Sequence, residues 1–307
     1  MICVKIDKNK IIEEIRYFLS NISSIFTDGK NIYIELNDKI EDLENKGYEI
    51  VNCDKIKKRT PKLSDIFEGI RSFYLLGDIL LISPKKEIDK QLLGQVILRV
   101  NPRVKSIFVR KKVKGELRIN ELEFISGEYK TTTVYRENGI NFYVDISKVY
   151  VNPSLSAERK NLSDEIECKG IILDAFCGYG AFTLYLLKKC SYVVAGDLNL
   201  DGLYMLKKSL SLNKLPGYVD IVQYDAFFLP FRDKAFYLVI ADNPTVISSF
   251  KEELCRVSDH EVLFYVLAKD EKEAKEKLGG YRWIPINDYS KDLRIFKGFV
   301  RCNNESI

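Results

Sequence analysis

The stretch IILDAFCGYGAFTLYLLKKC, residues 171–190, places a glycine-rich turn directly after a run of apolar residues. The apolar run that ends at Asp174 predicts a short buried strand, and the apolar residues after the turn have the spacing of a helix. Gly178 and Gly180 allow the backbone to turn tightly and to approach a ligand closely. The stretch therefore predicts a strand, a ligand-binding turn and a helix, in that order.

The chain around this turn alternates between strand and helix patterns from about residue 156 onward, beginning with a helical pattern over SAERKNLSDEI. The predicted strands are GIILDA, YVVAGDL, VDIVQYDAF, FYLVIADNP and EVLFYVLA, with helices over AFTLYLLKKC, over LDGLYMLKKSLSLN and near residues 246–257. Strands separated by helices predict a parallel, doubly wound α/β sheet with helices on both faces. We expect this Rossmann-like domain to cover residues 156–307.

Two small α+β segments are predicted before this domain. Residues 1–60 combine the strands ICVKI and NIYIEL with an amphipathic helix over KNKIIEEIRYFLSN. Residues 61–155 combine the strands GDILLIS and VKSIFVR, a helix over KEIDKQLLGQVILRV and several short β-prone pieces. Among those pieces, ENG at residues 137–139 predicts a hairpin turn.

Composition predicts a cytosolic globular protein that does not contact membranes. Of the 307 residues, 46% are hydrophobic and 30% are charged, and no run of 18 apolar residues occurs. The N-terminal MICVKIDKNK does not have the pattern of a signal peptide. The formal net charge is only +4, but KIKKR at residues 55–59 and RVKSIFVRKKVK at residues 103–114 concentrate positive charge, which points to a polyanionic partner.

The cysteines and the single histidine, His260, argue against several kinds of site. The seven cysteines form no CxxC pair, so we expect no metal site. In a cytosolic chain we also expect no disulfide framework, and each cysteine is predicted to be a small buried apolar residue. The presence of a single histidine disfavours Ser-His-Asp or Cys-His catalysis.

The residues at the strand ends indicate the ligand. A dinucleotide site would need a third glycine where Thr183 stands, and the carboxylate of Asp174 suits a cation better than a pyrophosphate. S-adenosylmethionine is cationic and has no phosphate, so it fits this turn better. Asp197, 17 residues after Gly180, is placed to accept the ribose hydroxyls, and Asp225 ends the next strand near the expected adenine. Asn243 and Pro244 end the fourth strand, where the transferable methyl group would lie, and Phe176, Leu198 and Ala226 adjoin the predicted cofactor site.

Several of these segments resemble the archaeal-type tRNA (guanine-37-N1)-methyltransferases and their wyosine-pathway relatives. GELRINELEFISGE and TTTVYRENGINFYVDISKVYVNPSLSAER, between residues 115 and 159, are the most specific blocks. LDAFCGYGAFTLYL resembles the cofactor loop, NDYSKDLRIF the closing hairpin region, and the N-terminus the small first domain of the family. The resemblance implies a class I methyltransferase fold, an RNA-docking role for residues 1–60, and S-adenosylmethionine as cofactor.

The resemblance also implies roles for individual residues. In the GExR segment Arg118 would contact the target guanine, and in the VYxxP segment Tyr150 would line the cofactor and guanine site. Glu158 of the ER pair would be the general base that removes the proton from N1, while Asn243 and Pro244 would hold the base and the methyl donor. Arg118 would then stabilise the negative charge that develops on O6.

Plainer interpretations of two of these residues stay open. Glu158 could be an ordinary acidic residue of a first helical turn, and Arg118 could pair with Glu121 or Glu123. If Glu158 is not the base, Asp242 is the next candidate.

The chain also departs from the family pattern at two places. Ser154 in NPSL replaces the usual Arg of SPRL, and DNPT replaces the usual NLP at the fourth strand. Either Asp242 or Asn243 then takes the place of the usual Asn.

The predicted activity is methylation of N1 of guanosine 37 in tRNA, with the protein, a monomer, contacting the anticodon loop and the outer corner. An unpaired anticodon-loop base can be moved into a pocket for such chemistry. One alternative is a wyosine-pathway relative that transfers an aminocarboxypropyl group or methylates carbon. The other is a tRNA-binding protein without catalytic activity.

Overall fold

The computed structural model describes residues 2–67, 70, 73–84, 86–115 and 117–302, so Glu116 of the GELR segment lies outside the described residues. The chain divides into two compact units. One contains Met1–Lys112 and Glu121–Thr133, and the other contains Val113–Asn120 and Val134–Ile307. In the described ranges, no helix combines the length and the apolar character that crossing a bilayer requires.

The first unit begins with a four-stranded antiparallel sheet in the order β2-β3-β1-β4. Its elements are β1 (Ile2–Ile6), α1 (Ile11–Phe18), β2 (Ile22–Thr27), β3 (Ile32–Leu36) and β4 (Glu49–Asn52). In α1 the buried residues Ile11, Ile15 and Phe18 share one face, as the apolar spacing predicts. The strands β1 and β3 and helix α1 were predicted, whereas β2 and β4 were missed.

A second sheet of this unit has the order β5-β6-β7-β8. A short helix, α2 (Leu63–Ile66), precedes this sheet. The elements of the sheet region are β5 (Phe73–Leu76), β6 (Ile79–Ile82), α3 (Lys90–Val100), β7 (Ser106–Lys114) and β8 (Ile119–Gly127). Helix α3 connects the parallel strands β6 and β7, and it begins where Asp89 caps it by accepting the N–H of Leu92 at 3.0 Å. One hydrophobic core cluster contains Ile34 of the first sheet and Ile107 of the second. The proposed boundary near residue 60 stays a prediction.

The prediction that the cysteines are unpaired is wrong. Disulfides join Cys3 to Cys53, Cys168 to Cys190 and Cys255 to Cys302, and Cys177 is a buried free thiol. The partners stand 50, 22 and 47 positions apart in the sequence, yet their Cα atoms lie 5.2–5.3 Å apart. Folding brings the partners together, for example through the pairing of β1 with β4, and the spacing of the cysteines does not reveal that proximity.

The hairpin of β9 (Thr132–Glu137) and β10 (Ile140–Asp145) turns at the predicted residues. Asn138 and Gly139 have φ values of 46° and 84°, the left-handed conformation that a tight two-residue hairpin turn requires. Strand β10 packs against α6 (Leu200–Ser211), where the hydroxyl of Ser209 accepts the N–H of Tyr143 at 2.9 Å.

The second unit is built on a seven-stranded sheet in the order β13-β12-β11-β14-β15-β17-β16. Its elements are α4 (Ser156–Glu165), β11 (Ile172–Asp174), α5 (Thr183–Leu186), β12 (Tyr192–Asp197), α6 (Leu200–Ser211), β13 (Tyr218–Gln223), β14 (Phe236–Asp242), α7 (Lys251–Val257), β15 (Ser258–Ala268), α8 (Glu271–Leu278), β16 (Ile284–Asp288) and β17 (Arg294–Val300). The predicted doubly wound sheet is confirmed for β11 to β15, which are parallel, and β17 and β16 add an antiparallel edge. The strand order reverses between β11 and β14, which is where such a sheet binds its ligand.

Candidate active site

A cavity of about 490 Å³ lies in the second unit, beside the reversal point of the sheet. Cavities of this size typically hold small ligands and cofactors. Of the sequence-predicted residues, the lining includes Arg118, Tyr150, Phe176, Gly178, Asp197, Leu198, Asp225, Ala226, Asn243 and Pro244. Three predicted residues, Glu158, Asp174 and Gly180, lie outside the lining.

The two glycines of the turn serve different purposes. Gly178 has φ 53° and borders the cavity, and a Cβ placed there would have no atom within 4 Å. Gly180 has φ 87°, but a Cβ there would lie 2.4 Å from Leu206 of helix α6. The close approach of Gly180 is thus to helix α6, and its predicted contact with a ligand stays a prediction.

Asp174 lies behind the turn and is fully buried. Its Oδ2 accepts a hydrogen bond from the Thr183 hydroxyl at 2.6 Å, while its Oδ1 has no hydrogen-bond partner among the described residues. Burial, together with the nearby carboxyls of Asp242 and Asp197, raises the pKa of Asp174 to about 7. A buried acceptor without a donor is costly, so this oxygen suits a hydrogen-bond donor of a bound molecule or a water.

The acidic residues at the ends of β12 and after β13 do reach the cavity. Asp197 accepts the N–H of Gly178 and the N–H of Asn199, both at 2.8 Å, and these bonds fix its carboxylate at the rim of the turn. Burial raises the pKa of Asp197, and the backbone donors act against that rise. Asp225 accepts the N–H of Phe227 at 3.0 Å and also borders the cavity. Each carboxylate keeps lone pairs for a ligand's hydroxyl or amino group.

Three aromatic rings, tilted by 59° and 43° between neighbours, form an apolar wall. The ring centroid of Phe250 lies 5.2 Å from that of Phe176 and 4.4 Å from that of Phe227. All three residues line the cavity, but only Phe176 was predicted. Such a wall suits a planar heterocycle such as adenine.

Arg118 is positioned by three features of its surroundings. Its φ of 52° is a left-handed conformation rare for a residue with a side chain, and its guanidinium lies 5.5 Å from the centroid of the Tyr150 ring. Its Nη1 donates to the hydroxyl of Thr245, in the loop after β14. Arg118 and Tyr150 therefore meet at the cavity, as the resemblance implied.

Glu158 is not at the cavity. Its side chain is 6% exposed, its Oε1 accepts a hydrogen bond from the Tyr265 hydroxyl at 2.7 Å, and Lys297 Nζ lies 3.0 and 3.2 Å from its two oxygens. Its carboxylate is therefore engaged by a tyrosine hydroxyl and a lysine and does not border the cavity. Glu158 does stand in the first turn of α4, as its plainer interpretation as a helix-start acid expects.

The DNP segment at the end of β14 brings three residues to the cavity. Asp242, Asn243 and Pro244 all border it, and Asn243 Oδ1 is buried without a hydrogen-bond partner among the described residues. Asp242 is partly exposed, yet its dense surroundings raise its pKa to about 6, against the opposing effect of Arg159 and Arg118.

Arg159 is a cavity residue that the sequence analysis missed. It is 2% exposed and forms two hydrogen bonds with Glu137, at 2.9 and 2.8 Å, and a third with the carbonyl of Asn152 at 3.2 Å. Its signal in the sequence was its place beside Glu158 in the ER pair. Because Glu137 belongs to the hairpin strand β9, this ion pair fixes the hairpin to α4 beside the cavity.

Ser154, the other departure from the family pattern, lies in a short 3₁₀ turn before α4. Its hydroxyl donates to Asn152 Oδ1 at 2.6 Å and accepts from Asn287 of β16 at 2.7 Å. Across the described ranges, no group of three or more His, Cys, Asp and Glu side chains is arranged to hold a metal ion.

Comparison with protein families finds two matches along the chain. The TRM5/TYW2 methyltransferase domain matches residues 133–279, and the TYW2 N-terminal domain matches residues 57–131. Together these matches span most of both units.

Curated proteins and solved structures give related matches. The tRNA (guanine(37)-N(1))-methyltransferase Trm5b of Methanocaldococcus jannaschii is 30% identical over 241 residues, which cover 70% of this chain and 71% of that protein. The enzyme of the same name from Pyrococcus abyssi is 32% identical over 190 residues, 58% of each chain. The structure described as the complex of aTrm5 and tRNALeu aligns with a TM-score of 0.68 and 25% identity over 99% of this chain and 100% of that one.

Proposed function

Because this chain belongs to the TRM5/TYW2 methyltransferase family, we propose that it methylates N1 of guanosine 37 in tRNA with S-adenosylmethionine as the methyl donor. The names of both Trm5b relatives support this activity. The observation that carries the proposal is the cavity itself, where the glycine turn and strand-end carboxylates of a cofactor site adjoin Arg118 and Asp242.

The residues present fit S-adenosylmethionine. Gly178 leaves open space beside its backbone, and Asp197 offers acceptors for ribose hydroxyls. Asp225 offers an acceptor for the adenine amino group, beside the aromatic wall of Phe176, Phe227 and Phe250. When bound, the cofactor supplies an electrophilic methyl group on a sulfonium centre.

The target base needs two kinds of help, and the cavity contains the side chains for both. N1 of guanine carries a weakly acidic proton, so a base must remove it before or during methyl transfer. Such general-base help typically increases the reaction rate by about 10²–10⁴-fold. Negative charge then develops on O6. The guanidinium of Arg118, held by Thr245 and Tyr150, offers N–H donors to that charge.

We also propose that the first 60 residues help to dock tRNA. Lys55 and Lys57 of the KIKKR segment are exposed, whereas Lys58 is paired with Glu35 at 2.9 Å. Since one core cluster contains residues of both sheets in this unit, charge reversal is a better test than deletion. The Lys55→Glu, Lys57→Glu variant should weaken tRNA binding and reduce its salt dependence, while Lys10→Glu should not. Unchanged tRNA affinity at low salt would contradict the docking role.

A wyosine-pathway activity is the second candidate, because the model matching residues 57–131 is that of the TYW2 N-terminal domain. The two candidates use different parts of the same cofactor. A transcript with guanosine at position 37 is incubated with cofactor labelled either in the methyl group or in the carboxyl group. Methyl label in the tRNA supports N1-methylation, carboxyl label supports aminocarboxypropyl transfer, and tRNA binding without either label supports a protein without catalytic activity.

A further inference from the structure

The mouth of the cavity has an apolar rim that the proposed reaction does not use. Leu117, Val246 and Tyr289 line the cavity, yet they are 39%, 47% and 47% exposed. Leu117 precedes Arg118 and Val246 follows Thr245, and Arg118 donates to the Thr245 hydroxyl, so the rim includes the neighbours of that contact. Exposed apolar side chains grouped at a cavity mouth mark a surface where another molecule packs. We call these three residues the apolar rim.

Tyr289 reaches the rim from the loop between β16 and β17. Its own N–H and the N–H of Ser290 both donate to the carbonyl of Leu293, at 2.9 and 3.0 Å, and these bonds make the loop tight. On β16, the Asn287 side chain donates to the hydroxyl of Ser154 at 2.7 Å. This bond fixes the hairpin to the turn before α4, so it also helps to hold Tyr289 at the cavity.

We propose that the apolar rim holds the base of a nucleotide next to guanosine 37, with the ring of Tyr289 as its stacking surface. This inference rests on the proposed function. When one unpaired base of an RNA loop enters a cavity, its neighbours remain at the mouth. Each of them presents flat faces, and stacking on an aromatic side chain is a common way to hold such a base. The rim is therefore an interaction surface for single-stranded RNA.

The charges of the loop favour a base over a phosphate as the occupant. Asp288 and Asp292 balance Lys291 and Arg294, so residues 288–294 have no net formal charge. Arg294 is also paired with Asp288 at 3.0 Å. Binding of phosphates needs an excess of positive charge, whereas stacking does not and accepts any of the four bases. The contact should therefore depend on whether a base is present and little on salt.

The test is equilibrium binding of a tRNA with guanosine at position 37, assembled so that the nucleotide at position 36 or 38 lacks its base. Loss of the stacked base should weaken binding to the wild type about tenfold, and loss of the other base should weaken it much less. Tyr289→Ala should bind the intact tRNA about tenfold more weakly and should no longer distinguish intact from base-free tRNA. The ratio between wild type and variant should stay the same at low and high salt.

Three further variants separate stacking from a general effect on the fold. Tyr289→Phe keeps the ring and should bind as the wild type does. Tyr281→Ala is the matched control, because Tyr281 is an exposed tyrosine of the same unit that does not line the cavity. Ser154→Ala removes the hydroxyl that holds Asn287, and it should weaken the discrimination less than Tyr289→Ala does. Calorimetry should show wild-type binding of S-adenosylmethionine in all of them.

The results separate the inference from the proposed function. The binding measurement does not require catalysis, so a wild type that binds tRNA without methylating it would defeat the proposed function and would still test the rim. Equal binding of intact and both base-free tRNAs by the wild type would overturn the inference, whether or not a variant folds. If Tyr289→Ala loses S-adenosylmethionine binding and keeps its affinity for tRNA, the rim covers the cofactor and the inference is also overturned.

Discussion

Lys297 Nζ of β17 lies 3.0 Å from Glu158 Oε1 of α4, and both side chains are almost completely buried. The two residues are 139 positions apart, so this ion pair joins the start of the second unit's large α/β fold to its last strand. The pair accounts for the burial of an acidic side chain to which the family resemblance assigns the role of general base.

The first prediction concerns the stability of this pair. Glu158→Gln and Lys297→Met should each lower the free energy of unfolding by about 3–5 kcal/mol, because each leaves one buried charge without its partner. The double variant should recover most of that loss. Denaturant unfolding measures all three, and additive losses in the double variant would show that the two side chains do not interact in solution.

Asp197 should control cofactor binding. Asp197→Ala removes the acceptor of the Gly178 N–H and the predicted partner of the ribose hydroxyls, so calorimetry with S-adenosylmethionine should show no measurable binding. Asp201→Ala, at the nearby start of α6, is the control, since Asp201 pairs only with exposed Lys148 among the described residues. Wild-type preference for a nicotinamide dinucleotide over S-adenosylmethionine would contradict the cofactor assignment.

Arg118 should affect the chemical step more than binding. Arg118→Ala should cost about 3–4 kcal/mol of transition-state stabilisation, the usual effect of losing one donor to a developing oxyanion. Thr245→Val, which removes only the hydroxyl that positions the guanidinium, should cost less. Single-turnover kinetics measures both variants, and a wild-type rate in Arg118→Ala would contradict this role.

The disulfides should contribute to stability according to the length of chain that they close. Replacing the Cys3 and Cys53 pair by serine should cost about 4 kcal/mol, and replacing the Cys168 and Cys190 pair should cost about 3 kcal/mol. Thiol titration of the unreduced, denatured protein should find one free thiol, that of Cys177. Titration of all seven cysteines without reductant would show that the disulfides do not form.

The periodic features of the sequence predicted the fold well. Alternating strands and helices fixed the parallel part of the sheet, and acidic residues at strand ends, such as Asp197 and Asp225, were predicted at the cavity because parallel strands end at one edge. Short strands such as β4 lack a clear alternation of apolar and polar residues. They form because the pairing with β1 is available only in the folded chain.

The errors concern contacts between residues distant in sequence. In the sequence Gly180 looks like a ligand-binding glycine. In the structure a side chain at this position would collide with Leu206, so close packing explains the glycine. The family resemblance assigns the general base to Glu158, but the sequence does not reveal Lys297 beside it, and the cysteine pairs are equally hidden. Asp242 and Glu158 are both plain carboxyls in the sequence, and only the folded protein shows that Asp242 borders the cavity and that Glu158 pairs with Lys297.

The most direct test of the proposed activity is mass spectrometry of the nucleosides from a tRNA transcript with guanosine at position 37, after incubation with the protein and S-adenosylmethionine. The proposal predicts 1-methylguanosine, and it predicts no methylated nucleoside from a matched transcript with adenosine at that position. A guanosine enlarged by an aminocarboxypropyl group, or unmodified guanosine despite tRNA binding, would contradict it.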